Sequence, residues 1–404
     1  GNMRAPLPSL QAAQTSGSGR RRLYQSISPT RVHACSGPEH TAHPGGQPHF
    51  GAGDSVTCHA KSAIVSPRRV LSVRHRPTRS RDDLMDASII ITTYRRESLL
   101  STLVADCIAQ IRALPELHID VWVIDNSPDA SARAHVDQST EVHFVHEPRP
   151  GVSHARNRGI ADSAGRCIIF IDDDERPAPG WLAALLTLQK DTNADVLFGP
   201  VHPQPVDDAT PMDHFYTEFV RQDSDAPAGA AIARHTPWAG LKRGLSRRPL
   251  ASNNTLLLRS RCIFDAAPFD PSLGQTGGED TLFFTDLQRK HRRLLWCPDA
   301  VVTESVPADR RTLQFYLRRK FRNGQITTST CLKLAPAEHG LAVAWMATGL
   351  LQCLIGLLFS AMWPFDRLRG YRGLGTVATG LGKLLYHERF RQIAYGQAQV
   401  STPV

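Results

Sequence analysis

The sequence predicts an α/β fold, a mostly parallel sheet flanked by helices, followed by a C-terminal hydrophobic helical segment. Three observations lead to this prediction. Short β-branched runs alternate with apolar-faced helical stretches from Ser88 onward, which is the order that crossover connections in a parallel sheet produce. Successive runs end in polar residues. Residues 341–363 contain no charged side chain.

Order is predicted to begin at Met85. Length and β-branching predict buried strands, and apolar spacing predicts helices. Predicted strands cover residues 88–92, 121–124, 142–145, 167–171 and 256–258, and predicted helices cover 97–113 and 153–164. Three of the strands lead into Thr92, Asp125 and Asp172. Because ligands bind at the carboxyl ends of strands in such sheets, these residues are predicted to lie at one site.

Residues 1–84 are predicted to be a disordered basic tail, rich in Ser, Pro, Gly, His and Arg. They carry 12 Arg/Lys and 4 Asp/Glu, whereas the remainder carries 35 and 34, so the basic excess belongs to the tail. Contact of its arginine clusters with nucleic acid or anionic lipid is an open alternative, although no nucleic acid is expected as a partner. A further hypothesis takes Met85 as the natural start, with the tail outside the native coding sequence.

The eight Cys include no CxxC pair. This usage fits a reducing compartment in which thiols serve as small apolar side chains. No metal–thiolate site is predicted.

Four consecutive acids, Asp172 to Glu175, follow a run that must be buried. Two carboxylates about 4 Å apart repel by roughly 4 kcal/mol at an effective dielectric near 20. A solvated loop would relieve this repulsion, and so would a divalent cation. In an extended run, Asp172 and Asp174 face the same side and would share the cation, whereas Asp173 points away and bonds locally.

The first strand leads into Thr92-Thr93-Tyr94-Arg95-Arg96, with neither a GxGxxG fingerprint nor a P-loop. An aromatic ring and basic groups at this point suit stacking and hydrogen bonding to a single nucleotide. A plain strand-to-helix turn is the alternative for Tyr94.

Five segments resemble, in order, a family 2 glycosyltransferase of the GT-A fold, over about residues 86–330. They read SIIITTYRRESLLSTL, VWVIDNSPDASARA, HEPRPGVSHARNRGI, IIFIDDDERPAPGWL and TGGEDTLFFTDLQRK. The stretches 145–157 and 170–185 are especially similar to bacterial exopolysaccharide glucosyltransferases of the succinoglycan type. The resemblance implies a Rossmann-like nucleotide-diphospho-sugar transferase domain at residues 85–330.

The resemblance also implies the donor site. Asp125 is expected to contact uracil, Asp172 the ribose or the metal, and Asp174 the metal, which is Mn²⁺ or Mg²⁺. The implied metal ligands are thus Asp172 and Asp174. The implied nucleotide-sugar contacts are Thr92, Tyr94, Arg95, Asp125, Arg156, Asn157, Asp172, Arg319 and Arg322.

For catalysis, the resemblance implies Asp280 as the general base, with Glu279 orienting the acceptor. The choice between these two acids stays open, and a helix start that favours acids is the plain alternative. Asn253 and Asn254 either line the acceptor pocket or make the turn before the next strand. Residues 200–250 are expected to form an acceptor loop.

Two departures from the family pattern are visible. Arg319 and Arg322 have the interval of the Q/RxxRW segment of processive members, but Asn323 replaces the Trp. Glu304 stands where many relatives place a His metal ligand.

Residues 331–404 are predicted to be a membrane-associated helical region. The uncharged stretch at 341–363 has 23 residues, which span roughly 34 Å as a helix and are enough for a bilayer. Spanning or re-entrant insertion is expected, and an in-plane or buried helix is the alternative. The glycine-broken segment 373–386 is compatible with a hairpin that dips back.

Together with these features, the resemblance implies an inverting, metal-dependent glycosyltransferase. It would move a sugar, glucose by resemblance, from a UDP-sugar to a saccharide or lipid-linked acceptor in bacterial surface polysaccharide synthesis. The expected location is the cytoplasmic face of the bacterial inner membrane. The alternatives are a sugar-phosphate nucleotidyltransferase and a non-catalytic nucleotide-sugar-binding protein; residues 92–97 lack the glycines that the former requires.

Overall fold

The computed structural model describes residues 85–136, 139–206, 219–221, 226–238 and 250–394. The predicted basic tail at 1–84 lies outside these residues, as does most of the predicted acceptor loop at 200–250.

Ten strands and eight α-helices occur among the described residues. The strands are β1 (Ala87–Thr93), β2 (Ile119–Asp125), β3 (Val142–His146), β4 (Cys167–Asp172), β5 (Glu175–Pro177), β6 (Val196–Phe198), β7 (Val201–Pro205), β8 (Thr255–Leu258), β9 (Leu294–Trp296) and β10 (Val302–Val306). The helices are α1 (Glu97–Arg112), α2 (Val152–Asp162), α3 (Trp181–Thr192), α4 (Arg259–Cys262), α5 (Glu279–Arg289), α6 (Leu313–Lys333), α7 (His339–Ser360) and α8 (Arg367–Leu384). The predicted elements of the main domain are confirmed, with small shifts at their ends.

Seven strands form the main sheet in the order β3-β2-β1-β4-β8-β6-β9. β1 pairs in parallel with β2 and β4, and β8 runs antiparallel to β4 and β6. Thr92 lies opposite both Ile124 and Asp172. This register confirms a mostly parallel sheet and sets the polar strand ends at one edge.

A smaller sheet in the order β5-β10-β7 stands beside that edge. β5 and β10 are antiparallel, and Glu175 lies opposite Glu304. The short sheet therefore brings two further acids close to the acidic run.

Apolar layers cover both faces of the main sheet because successive strand residues point to opposite sides. Ile89 packs with α1 and α3 residues, including Leu103 and Leu185. Ile90 packs on the other face with Phe284 of α5 and with α2 residues. Burial of each apolar side chain of this size stabilises the folded state by roughly 1.5–3 kcal/mol. Because β1 is buried on both faces, its central residues are apolar whichever face they point to, and the strand contains the continuous run Ile-Ile-Ile.

The C-terminal helices pack closely through glycine. A Cβ at Gly382 of α8 would lie 2.0 Å from the Phe321 carbonyl oxygen of α6, and one at Gly380 would lie 2.5 Å from the Gly349 carbonyl oxygen of α7. α8 therefore lies between α6 and α7. The predicted apolar helix is confirmed as α7, and the glycine-rich segment folds back on it as α8.

One helix in the described part of the chain is long and apolar enough to cross a membrane by length and composition. It is α7 (His339–Ser360), and 22% of its most apolar stretch is buried inside the protein.

Candidate active site

A cleft of about 660 Å³ opens at the carboxyl ends of β1 and β4, and its other walls include residues of α2, α5, α6 and α7 and of the segment before β8. Ten of the predicted site residues line it: Thr92, Tyr94, Arg156, Asp172, Asp174, Asn253, Glu279, Asp280, Arg319 and Arg322. The remaining four, Arg95, Asp125, Asn157 and Asn254, lie outside this lining.

The acidic run folds as a tight turn. β4 ends at Asp172, and Asp173 and Asp174 turn the chain into β5. Arg96 Nη1 donates to Asp173 Oδ1 at 2.6 Å and to Asp174 Oδ2 at 2.7 Å. Thr93 Oγ1 also donates to Asp173, at 2.9 Å. The prediction of an extended run with Asp173 pointing away is therefore wrong, because one guanidinium gathers both carboxylates at the cleft.

A second arginine completes this arrangement. Arg310 Nη1 lies 3.2 Å from Asp174 Oδ2 and 3.7 Å from Glu304 Oε1. Burial, with the nearby Asp174 carboxylate, raises the pKa of Glu304 to about 7. The acid that replaces the expected His thus belongs to the same charged cluster as the acidic turn.

Glu279 is tied to the opposite side of the cleft by Arg156. Arg156 Nη1 donates to Glu279 Oε1 at 2.5 Å, and its Nη2 lies 3.9 Å from Asp172 Oδ1. Glu279 is buried, and its Oε2 has no hydrogen-bond partner among the described residues. Burial, with the adjacent Asp280, raises the pKa of Glu279 to about 7.

Asp280 differs from its neighbour in environment. It is only partly buried and lines the cleft, and its Oδ1 accepts from the Thr281 amide at 2.6 Å. Gly278 begins the helix with φ 96°, a conformation that favours glycine. This turn before the helix sets two consecutive acids of the cleft lining in unlike surroundings: Glu279 is buried against Arg156, and Asp280 is partly exposed in the cleft.

Glu175 and Asn253 form a buried network beneath the acidic turn. Glu175 accepts from the Asp172 amide at 3.0 Å and from Asn253 Nδ2 at 2.8 Å. Arg221 donates to Asn253 Oδ1 at 3.2 Å, and burial lowers the pKa of Arg221 to about 10. Burial, with the nearby Asp172, raises the pKa of Glu175 well above its ordinary value.

The four predicted residues outside the lining bond within the protein. Asp125 accepts from the amides of Ser127 at 2.8 Å and Ala132 at 2.9 Å. Arg95 lies at the surface, 3.5 Å from Asp129.

The two asparagines of this group serve as internal clamps. Asn157 bonds both the amide and the carbonyl of Phe269, at 3.0 and 2.7 Å. Asn254, at φ 46°, bonds the carbonyls of Pro200 and Ala300 and accepts from Trp181. Each of the two interpretations therefore fits one of the asparagines: Asn253 faces the cleft, and Asn254 makes the turn.

The carboxylates of the acidic turn are chemically suited to binding a divalent cation. Asp172 and Asp174 offer the carboxylate oxygens that Mg²⁺ and Mn²⁺ take, and such ions are held by one or two carboxylates plus substrate phosphates. Burial, with its acidic neighbours, raises the pKa of Asp172 to about 6, although its side chain keeps 37% exposure to the cleft. Across the described ranges, no group of three or more His, Cys, Asp or Glu converges on one point. A cation here would therefore take its remaining ligands from phosphate and water.

The sequence matches the family model for glycosyl transferase family 2 over residues 88–245. It is 31% identical over 269 residues to the succinoglycan biosynthesis protein ExoM of Rhizobium meliloti, covering 65% of this chain and 80% of that protein. The chain belongs to glycosyl transferase family 2. It is a glycosyltransferase, and its sheet with flanking helices is the GT-A fold that the sequence motifs implied.

Other similarities are more distant. It is 23% identical over 199 residues to glycosyltransferase AglE of Haloferax volcanii, covering 48% of this chain and 58% of that protein. A crystal structure of GalNAc-T7 with UDP, GalNAc and Mn²⁺ is similar at a TM-score of 0.42 and 18% identity, covering 61% of this chain and 51% of that chain. For S. aureus TarS the TM-score is 0.39 at 16% identity, covering 74% and 55%.

Several cleft residues of this family 2 enzyme were missed by sequence reasoning. Arg96 and Arg310 hold the acidic turn, Arg221 supports it from below, and Trp345 of α7 lines the cleft. The Tyr-Arg-Arg sequence signals a cation near the site without showing that the second arginine faces inward. Arg310 and Trp345 carry no local signal, because they reach the cleft only through tertiary packing.

Proposed function

We propose that this family 2 enzyme transfers a sugar from a UDP-sugar to a saccharide or lipid-linked acceptor, with inversion at the anomeric carbon. One observation carries the proposal: Asp280 lines the same cleft as the acidic turn at Asp172–Asp174. In this proposal the acidic turn holds the diphosphate leaving group through a cation, and the partly exposed carboxylate accepts the proton of the attacking hydroxyl. One cleft thus contains both groups that a displacement reaction needs.

Asp280 is proposed as the general base. It takes the proton of an acceptor hydroxyl while that oxygen bonds to the anomeric carbon and the bond from this carbon to the UDP oxygen breaks. A single in-line displacement gives a β-linked product from an α-linked donor. Glu279 is buried against Arg156 at 2.5 Å and is proposed to position that arginine and the start of α5.

Asp172 and Asp174 are proposed to hold Mn²⁺ or Mg²⁺. Such an ion, when bound, would supply positive charge to the diphosphate leaving group. Arg319 and Arg322, which line the cleft from α6, are proposed to face the same diphosphate. Because Asn323 stands in place of the Trp of processive enzymes, a single sugar addition is proposed.

The nucleotide is proposed to bind at the end of β1. Thr92 and Tyr94 line the cleft there, and Asn126 follows the buried Asp125. Asp125 bonds the Ser127 and Ala132 amides, so its proposed contact with uracil requires the loop after β2 to adjust. Arg95 and Asn157 are proposed to support the donor site from outside the cleft lining, while Asn253 faces the acceptor side.

The biological setting is proposed from the relatives and the C-terminal helices. The similarity to a succinoglycan biosynthesis protein supports a role in bacterial surface polysaccharide synthesis, with glucose as the proposed sugar. The apolar α7 supports attachment to a membrane and a lipid-linked acceptor. Because nucleotide sugars are cytoplasmic substrates, the proposed location is the cytoplasmic face of the inner membrane.

UDP release from a panel of UDP-sugars, with and without Mn²⁺, tests this function. Asp280→Asn is expected to lower turnover by about 100-fold or more while UDP binding persists. Asp286→Asn on the same helix, whose side chain pairs with Lys290, is the matched control and is expected to keep turnover. Nuclear magnetic resonance of the product then reports the anomeric configuration.

Two outcomes would contradict the proposal. Full turnover by both Asp174→Ala and Asp280→Asn would remove the assigned chemistry. Pyrophosphate release from a nucleoside triphosphate would indicate a nucleotidyltransferase, and nucleotide-sugar binding without any release would indicate a binding protein.

A further inference from the structure

We propose that α7 lies flat within one leaflet of an anionic membrane and does not cross it. This inference rests on the membrane association proposed above. It adds the orientation of the helix and the lipid chemistry that the surface selects.

α7 has two distinct faces. Its buried side, formed by Ala342, Trp345, Gly349 and Gly356, follows helical spacing and packs against the neighbouring helices. Its other side is apolar and open, with Leu354 exposed by 57% and Leu358 by 74%. A helix that is covered on one side and apolar on the other matches a segment lying at a lipid surface.

The packing of α6, α7 and α8 shows which residues of the three helices lie at the same position along the axis of α7. Gly349, at the middle of α7, packs against Gly380 of α8. Thr379 is the neighbour of Gly380 in α8. Its carbonyl oxygen would lie 2.2 Å from a Cβ placed on Gly324 of α6. The midpoint of α7 is therefore level with the segment of α6 that ends at Gly324.

That segment of α6 carries four cationic residues, Arg318, Arg319, Lys320 and Arg322. The last three line the cleft. If α7 crossed a bilayer along its normal, these charges would lie near the centre of the hydrocarbon, where charged side chains are strongly disfavoured. The cleft, which these residues line, would be drawn to the same depth. A flat α7 places only its own apolar side in lipid, which removes this conflict.

The turn after α7 has the amino-acid composition of a protein segment that lies at a membrane surface. Phe365 is 87% exposed, and Trp363 stands two residues before it. Exposed Arg367, Arg369 and Arg372 follow. Aromatic rings favour the interface, and clustered arginines favour anionic headgroups. The complementary partner is therefore a leaflet that carries negative charge.

The flat orientation has a consequence for the acceptor. Leu341 and Trp345 belong to α7 and also line the active-site cleft. The cleft thus borders the helix that is seated in lipid, so an acceptor whose lipid chain stays in the leaflet can present its saccharide to Asp280.

Vesicle flotation of the full chain tests the surface. Binding is expected to vesicles that contain phosphatidylglycerol and to be much weaker with phosphatidylcholine alone. The double substitution Leu354→Glu/Leu358→Glu is expected to lower the bound fraction by about tenfold. Val206→Glu, also an exposed apolar residue at 63%, is the matched control and is expected to bind as the parent does. Equal binding by the double variant would overturn the proposed surface.

Labelling with a membrane-impermeant maleimide tests the orientation. Ser101→Cys marks the side of the catalytic domain, and Arg367→Cys marks the end of α7; each is compared with the parent protein in intact proteoliposomes. Labelling of both variants without detergent is expected. Labelling of Arg367→Cys only after detergent would show that α7 crosses the bilayer and would overturn this inference alone. Failure to float would overturn the membrane association with it, whereas UDP release in solution tests the transferase chemistry independently.

Discussion

Arg96 and Arg310 hold the acidic turn together through hydrogen bonds that span more than seventy residues of sequence. Asp173 and Asp174 are both buried, and one guanidinium nitrogen serves both. Buried charges that lose their partner carry a large desolvation cost. Single substitutions that remove a charge from this turn are therefore expected to lower the stability of the folded protein strongly.

Arg96→Ala is expected to lower the free energy of unfolding by about 3 kcal/mol, because two buried carboxylates lose their shared cation. The neighbouring Arg95 supplies a matched control. Its pair with Asp129 is 3.5 Å apart at the surface, so Arg95→Ala is expected to change stability by less than about 0.5 kcal/mol. Urea unfolding followed by circular dichroism measures both, and equal losses would contradict the assigned pairing.

Glu279 is expected to make stability depend on pH. Burial raises its pKa from 4.5 to about 7 in the folded protein, so between these values the folded state retains a proton that the unfolded state has released. The free energy of unfolding therefore falls as pH rises through this window, by at most about 3 kcal/mol from this group.

Unfolding midpoints measured from pH 4.5 to pH 7 check this dependence. Glu279→Gln cannot release a proton and is expected to show a shallower decline than the parent. Asp286→Asn, at a partly exposed position of the same helix, should keep the decline of the parent. An unchanged slope in Glu279→Gln would contradict the raised pKa.

At the scale of elements, glycine decides how the C-terminal helices meet. α6, α7 and α8 approach at distances that leave no room for a Cβ at their contact points. The same contacts carry side-chain bonds, such as Thr328 Oγ1 to the Lys383 carbonyl at 3.0 Å. Because α6 supplies Arg319 and Arg322 to the cleft, this packing also positions one wall of the cleft.

Gly382→Ala is expected to destabilise the helical region by about 1–3 kcal/mol, because its Cβ would meet the Phe321 carbonyl oxygen at 2.0 Å. Gly340→Ala is the control: nothing lies within 4 Å of its Cβ, so the change should be neutral or stabilising by up to about 1 kcal/mol. Thermal unfolding in detergent distinguishes the two. A tolerated Gly382→Ala would mean that α6 and α8 are not packed at this distance.

At the scale of the whole molecule, the cleft is built by two regions of the chain. The strand ends supply its acidic edge, and helices α6 and α7 supply a wall that includes Arg322, Ile326 and Trp345. The C-terminal region is thus part of the cleft as well as the proposed membrane contact. Glu338 strengthens this union, since it pairs with Arg234 and lies 3.4 Å from Arg289.

Removal of residues 335–404 is expected to lower UDP release by about 100-fold even with a water-soluble acceptor, because one wall of the cleft loses its support. The full-length Leu354→Glu/Leu358→Glu variant separates this effect from membrane binding. It keeps the buried side of α7 and should therefore keep turnover with that acceptor. Full turnover by the truncated protein with that acceptor would contradict this expectation and assign the C-terminal region to membrane attachment alone.

The sequence by itself determined the α/β order, the buried strands and the polar residues at their ends. These features are local: β-branching and length mark a strand, and Asp125 and Asp172 mark where it stops. The sequence also marked α7, because an uncharged run of that length is unambiguous as an apolar helix.

Only the tertiary structure decided how the acids are partnered. Arg96, Arg221 and Arg310 reach the acidic turn and its supporting network from distant parts of the chain, and no local pattern reports such contacts. It also showed that Glu279 differs in environment from Asp280, and Asn253 from Asn254; the members of each pair share a functional group, so the sequence alone does not distinguish their roles. Adjacent side chains differ in burial because the backbone turns between them, and that direction is set by packing across the whole fold.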